Sequence, residues 1–78
     1  MKSKIKAKSD LTLVLAKTVA ERAAECASDI RVLFRDKSAN AKSLMGLVAL
    51  SYKKGAELLL VAEGKDAARA IEELKKIL

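Results

Sequence analysis

Apolar and polar positions change period several times along the chain, and each change marks an element. From Lys2 to Lys8 lysines alternate with Ser3, Ile5 and Ala7. Period two predicts a strand with one solvated and one buried face, and charge on an edge strand discourages aggregation. From Leu13 to about Ala27 the set Ala16, Val19, Ala20, Ala23 and Ala27 repeats at three and four, with Lys17, Glu21, Arg22 and Glu25 opposite. This is an amphipathic helix whose small residues allow close approach to the layer beneath. Asp10 or Thr12 is placed to cap it.

Alternation returns from Asp29 to Arg35, with Ile30, Val32 and Phe34 expected inward and Arg31, Leu33 and Arg35 outward. Arg35-Asp36-Lys37 can turn, and Ser38 to Ala41 can return as a short strand. Ser43 to Leu50 reads as a short helix, Ser51 to Gly55 as a polar loop and Glu57 to Glu63 as an apolar strand. Gly64-Lys65-Asp66 opens the last helix, with the stripe Ala67, Ala70, Ile71, Leu74 and Leu78. The order β-α-β-β-α-β-α in so short a chain predicts an α+β fold, with two long helices on one face of a four-stranded sheet. Residues 1–78 form one expected domain.

Composition narrows the chemistry. The 78 residues contain no histidine, no proline and a single cysteine, Cys26, with which no base or metal partner is evident and which reads as a buried, inert thiol. No metal site and no cofactor are expected, and histidine-dependent catalysis is excluded. Neither a signal peptide nor an apolar run long enough for a membrane span is visible, so a cytoplasmic, non-enzymatic protein is the expectation. Sixteen Lys and Arg against ten Asp and Glu leave +6. That balance suits acidic partners in general. Phe34 and Tyr52 are too few rings for a base-stacking platform, so nucleic acid is not the expected partner. Lys53 and Lys54 read as a solvated loop rather than an anion site.

The run Lys37-Ser38-Ala39-Asn40-Ala41-Lys42-Ser43-Leu44-Met45-Gly46 resembles the K-[ST]-x-N-x-K-S-[ILM]-[MF]-G segment of HPr, the phosphocarrier of the bacterial sugar phosphotransferase system. Lys54-Gly55-Ala56-Glu57 and Ala62-Glu63-Gly64 are similar to two further segments of that family. The resemblance implies an open-faced β-sandwich with sheet order 1-4-2-3 and its helices on one side. It also implies a phosphoacceptor motif, G-[IL]-H-A-R-P-A, at the start of the first helix. Here the corresponding run is Asp10-Leu11-Thr12-Leu13-Val14-Leu15-Ala16. Thr12 stands at the histidine position, Val14 at the arginine and Leu15 at the proline, so histidine phosphocarrier activity is not expected. Thr12 itself reads as a helix cap.

Ser43 matches the family's regulatory serine, modified by an ATP-dependent kinase in some bacteria, with Lys42 and Lys37 expected to add positive charge beside it. Serine is also a good cap in its own right. A chain without the histidine and with this serine is similar to the catabolite-repression HPr paralogue, a corepressor partner rather than a carrier. Leu13, Val14, Leu44, Leu47 and Val48 are the candidate contacts for a protein partner, a regulator or an HPr kinase. A second expectation is an oligomeric or structural scaffold without phosphorylation. On the open sheet face Leu33, Leu59 and Val61 are the candidates for self-association into a homo-oligomer.

Overall fold

In β1 (Lys2–Lys6) the alternation puts Lys2, Lys4 and Lys6 in solvent and half-buries Ser3 and Ile5. The computed structural model describes all residues 1–78 and continues with α1 (Leu13–Ala24), β2 (Asp29–Phe34), β3 (Lys37–Asn40), α2 (Leu44–Leu50), β4 (Glu57–Glu63) and α3 (Ala67–Ile77). All pairings are antiparallel and the sheet order is β1-β4-β2-β3, as the family resemblance implies. The chain's first and fourth strands are thus neighbours, with Lys4 opposite Leu59 and Ile5 opposite Leu58.

Period two sorts the sheet cleanly. Ile30, Val32, Ala39, Leu58, Leu60 and Ala62 are buried beneath the helices. Over them lie Ala16, Val19 and Ala23 of α1, Leu47 and Leu50 of α2, and Ala70, Ile71 and Leu74 of α3. Alanine at the contact positions lets the helices sit close to the sheet, so a core of few large side chains still fills. The accessible surface is 4840 Å², near the roughly 4,600 Å² expected for a folded chain of this mass. No helix is long and apolar enough to cross a membrane.

Several boundaries differ from the sequence expectation. α1 stops at Ala24, not near Ala27. The Cys26 amide turns back to the Ala23 carbonyl, and Ala27, exposed, gives its N–H to the Asp66 carboxylate rather than to a helix carbonyl. β3 starts at Lys37 because the β2–β3 connection has only two residues, Arg35 and Asp36, closed by the Phe34–Lys37 pair. Arg35 takes a positive φ of 57°, and its guanidinium lies 5.1 Å from the centre of the Phe34 ring. Phe34 is half-buried rather than a core residue. Tyr52 is the large ring of the core; its hydroxyl has no partner, and burial pushes its pKa up to about 12.

Asp66 joins the start of α3 to the loop before β2. Its carboxylate accepts the Ala27 and Ser28 amides, each at 2.9 Å, and the Ser28 hydroxyl. The Ser28 hydroxyl first, then these amides, lower its pKa from 3.8 to about 2. The folded state therefore prefers the carboxylate, so its contribution is complete above the unfolded value and is lost as pH falls towards about 2. Asp66→Asn is expected to flatten that acid limb: urea midpoints compared at about pH 5 and about pH 2.5 should fall less in the variant than in wild type. Equal losses would assign the acid sensitivity to another carboxylate.

Candidate functional site

The stretch between β1 and α1 is laced to the far side of the layer. The Ala7 amide donates to the Ala56 carbonyl and the Gly55 amide to that of Ala7, both at 2.9 Å. The Asp10 carboxylate accepts the Lys54 amide at 2.7 Å, and the Leu11 amide donates to the Tyr52 carbonyl at 3.0 Å. Lys8 places its ammonium on the carbonyls of Lys75 and Lys76, satisfying the last turn of α3. These bonds fix the start of α1 beside the segment that follows α2.

Thr12 is the N-cap of α1, with extended φ and ψ and its hydroxyl oxygen accepting the Leu15 amide at 3.1 Å. The hydroxyl is therefore used as an acceptor, and the nearest sequence charge is the carboxylate of Asp10. No arginine or lysine occurs from Leu11 to Ala16. Leu13 and Val14 point outward, 64% and 77% exposed, whereas Leu15 turns in against the core.

Ser43 is the N-cap of α2, its hydroxyl oxygen accepting the Gly46 amide at 3.2 Å. It is half-exposed, and its own amide donates to the Asn40 carbonyl. Lys42 does not stand over it. Its ammonium donates to the Cys26 carbonyl at 2.9 Å, which ties the β3–α2 corner to the end of α1. The charge expected from Lys42 is already committed, and Lys37 lies in the β2–β3 hairpin, exposed.

Of the candidate contacts on α2, Val48 is exposed, Leu44 is half-buried against the core and Leu47 is corrected outright. Leu47 is 1% exposed, a core residue no partner can reach. The residue missed was Met45, 78% exposed. Helical periodicity carries the signal. Leu44, Leu47 and Leu50 recur every three residues along the buried stripe, and Met45 with Val48 lies one step around the helix. α1 and α2 pack against each other. Their outward apolar side chains are Leu13, Val14, Met45 and Val48.

The candidate self-association residues lie on the sheet face opposite the helices. Leu33 pairs with Leu59 and Arg31 with Val61 across β2 and β4, while Lys4 and Lys2 stand opposite Leu59 and Val61 on β1. Leu33, Leu59 and Val61 are all half-buried. Long side chains on neighbouring strands cover aliphatic surface while keeping their charges wet, so this strip is narrower than three bare aliphatic residues would make it.

The architecture defines a class: a four-stranded antiparallel sheet, open on one side, with a threonine-capped and a serine-capped helix start on the other. The family model described as "PTS HPr component phosphorylation site" matches residues 1–78. The chain belongs to the HPr family. It is 34% identical over 73 residues to the HPr-like protein Crh of Bacillus subtilis, covering 94% of this chain and 86% of that protein. The crystal structure of a phosphocarrier protein HPr from Bacillus anthracis superposes with a TM-score of 0.94 at 28% identity, over 100% of this chain and 95% of that one. The crystal structure of B. subtilis Crh, described as a domain-swapped dimer, gives 0.81 at 32% identity over 99% and 88%.

Proposed function

We propose that this chain is a regulatory member of the HPr family rather than a histidine phosphocarrier. It docks a protein partner through the outward apolar side chains of α1 and α2, under the control of phosphorylation at Ser43. The observation that carries the reading is the contrast between the two capped helix starts. At one, Thr12 stands where the family resemblance puts the phosphoacceptor, in a chain with no histidine. At the other, Ser43 lies half-exposed in a segment matching the family's regulatory motif, two residues from the 78%-exposed Met45.

Phosphate on Ser43 adds about −1.5 to −2 charges beside an apolar contact surface, which is enough to change which partner that surface accepts. Leu13, Val14, Met45 and Val48 supply the apolar contact, and Leu44 its half-buried edge. The partner is a regulator, with an HPr kinase as the modifying enzyme in the cytoplasm. The likeness to Crh supports the regulatory reading.

Incubation with an HPr kinase and ATP is expected to add one phosphate by intact mass to the wild type and none to Ser43→Ala. Ser43→Asp should then alter capture of the regulator without altering the melting temperature. An unmodified wild type removes the regulatory branch.

A second reading is an assembly module that is never phosphorylated. It is favoured by the dimer described for Crh and by the aliphatic row Leu33, Leu59 and Val61. Light scattering across a concentration series separates the two. A dimer dispersed by Leu59→Glu supports assembly through the sheet; a monomer at high concentration ends it.

A further inference from the structure

A cleft of about 700 Å³ opens at the β2–β3 turn, and one of its walls is the loop hydrogen-bonded to the stretch that precedes α1. One wall is the β2–β3 turn with Arg35 and Lys37, and the other is the loop between α2 and β4 with Lys53 and Lys54. Its apolar lining is Phe34, Leu50 and Ala56. The only carboxylate in the lining is Glu57. We propose that this cleft is a binding site for a small ligand carrying two or more phosphate groups, one held by Arg35 and Lys37 and the other by Lys53 and Lys54.

None of the four cations is in an ion pair; Asp36 lies between Arg35 and Lys37 in the turn, and the Asp10 carboxylate is taken up by the Lys54 amide. The chain's two ion pairs, Arg22–Glu73 and Arg69–Asp66, lie on other elements. Four cations lining one cleft with a single carboxylate among them repel each other, and a multiply charged anion relieves that repulsion while gaining attraction to each. The volume falls within the roughly 300–1,000 Å³ of small-molecule sites.

The walls are also held in advance. The loop carrying Lys53 and Lys54 is fixed by the Lys54 amide on Asp10, the Gly55 amide on Ala7 and the Ala56 amide on Lys53. Across the cleft the Arg35 guanidinium rests over Phe34. Less ordering is left for the ligand to impose, and a planar guanidinium suits bidentate contact with phosphate oxygens. Two cationic walls require anionic groups at both ends of the ligand, which is why one phosphate does not suffice. The proposal does not depend on Ser43, which is outside the lining.

The test is a titration of ¹⁵N-labelled full chain, by NMR, with tripolyphosphate and separately with inorganic phosphate. Saturable shifts confined to the amides of residues 34–37 and 51–57 are expected with tripolyphosphate, with affinity at least about tenfold above inorganic phosphate and falling with added salt. Lys53→Gln/Lys54→Gln should weaken binding about tenfold or more, while Lys65→Gln/Lys75→Gln, with the same loss of charge elsewhere, should leave it unchanged. Melting curves and unshifted core amides establish that both variants are folded. Shifts scattered over all the lysine-bearing segments, equal losses in both double variants, or no saturation would overturn the proposal. So would tighter binding of a single-stranded RNA oligonucleotide than of tripolyphosphate, which would make the surface a site for a macromolecule instead.

Discussion

Gly64→Ala should lower the melting temperature by roughly 10–30 °C, corresponding to about 2–5 kcal/mol of lost stability in a domain of this size. Two costs add. The backbone at Gly64 has φ +142°, a region that L side chains rarely adopt. A β-carbon there would also lie 2.7 Å from the Ser28 hydroxyl oxygen and 2.8 Å from the Ser28 α-carbon. The second contact is with backbone, so no rotamer change relieves it. Ser28 is 1% exposed and cannot retreat into solvent. Moving it also pulls apart its two hydrogen bonds to Asp66, which hold the start of α3. Gly55→Ala separates the two costs. There φ is +88° and nothing lies within 4 Å of the added carbon. Only the conformational cost of about 1–2 kcal/mol remains, so a much smaller fall is expected. Thermal melts followed by circular dichroism give both values. Equal falls in the two variants would show that the Ser28 contact decides nothing.

The part of the fold written in local periodicity was legible before the structure. β1 and β4 alternate without interruption, and α3 carries its buried stripe from Ala70 to Leu74 where the sequence places it. What local pattern does not encode is which distant groups meet. The placement of β1 beside β4 came from the family resemblance alone, because many strand orders bury the same faces. The end of α1 is set by a carboxylate 39 residues from Ala27, which no pattern near Ala27 reveals.

The site shows the same division. Both cap residues, Thr12 and Ser43, were legible, since capping is a property of a few neighbouring residues. Leu47 was misplaced because a helix of seven residues has room for two apolar stripes, and only packing says which one is covered. Lys53 and Lys54 read as a solvated loop because Arg35 and Lys37, which face them across the cleft, belong to a different hairpin. Charges that are unremarkable singly become a potential site when tertiary structure collects them.

Label from phosphoenolpyruvate, relayed by the first enzyme of the phosphotransferase system, is expected to leave no acid-labile phosphate on this chain. The family motif carries the phosphoryl group on a histidine nitrogen, and the chain has no histidine. Thr12 cannot replace it. Its hydroxyl is a weak nucleophile at neutral pH unless a base removes its proton, and its oxygen is engaged by the Leu15 amide. The sharper experiment is Thr12→His. It restores the nucleophile at the start of α1 but not the arginine that the family motif carries where Val14 stands, and Asp10 keeps its negative charge nearby. Removing one preorganised donor from developing charge typically costs about 10²–10³ in rate. Thr12→His should therefore charge at least about a hundredfold more slowly than a histidine-bearing HPr, and Thr12→His/Val14→Arg should recover part of the difference. Melting curves for both variants distinguish slow transfer from unfolding, because imidazole is a poorer cap than threonine. Charging of Thr12→His at the rate of a histidine-bearing HPr would show that the surroundings of Thr12 remain those of a carrier and that only the nucleophile has been lost. Acid-labile label on the wild type would remove the regulatory reading at its base.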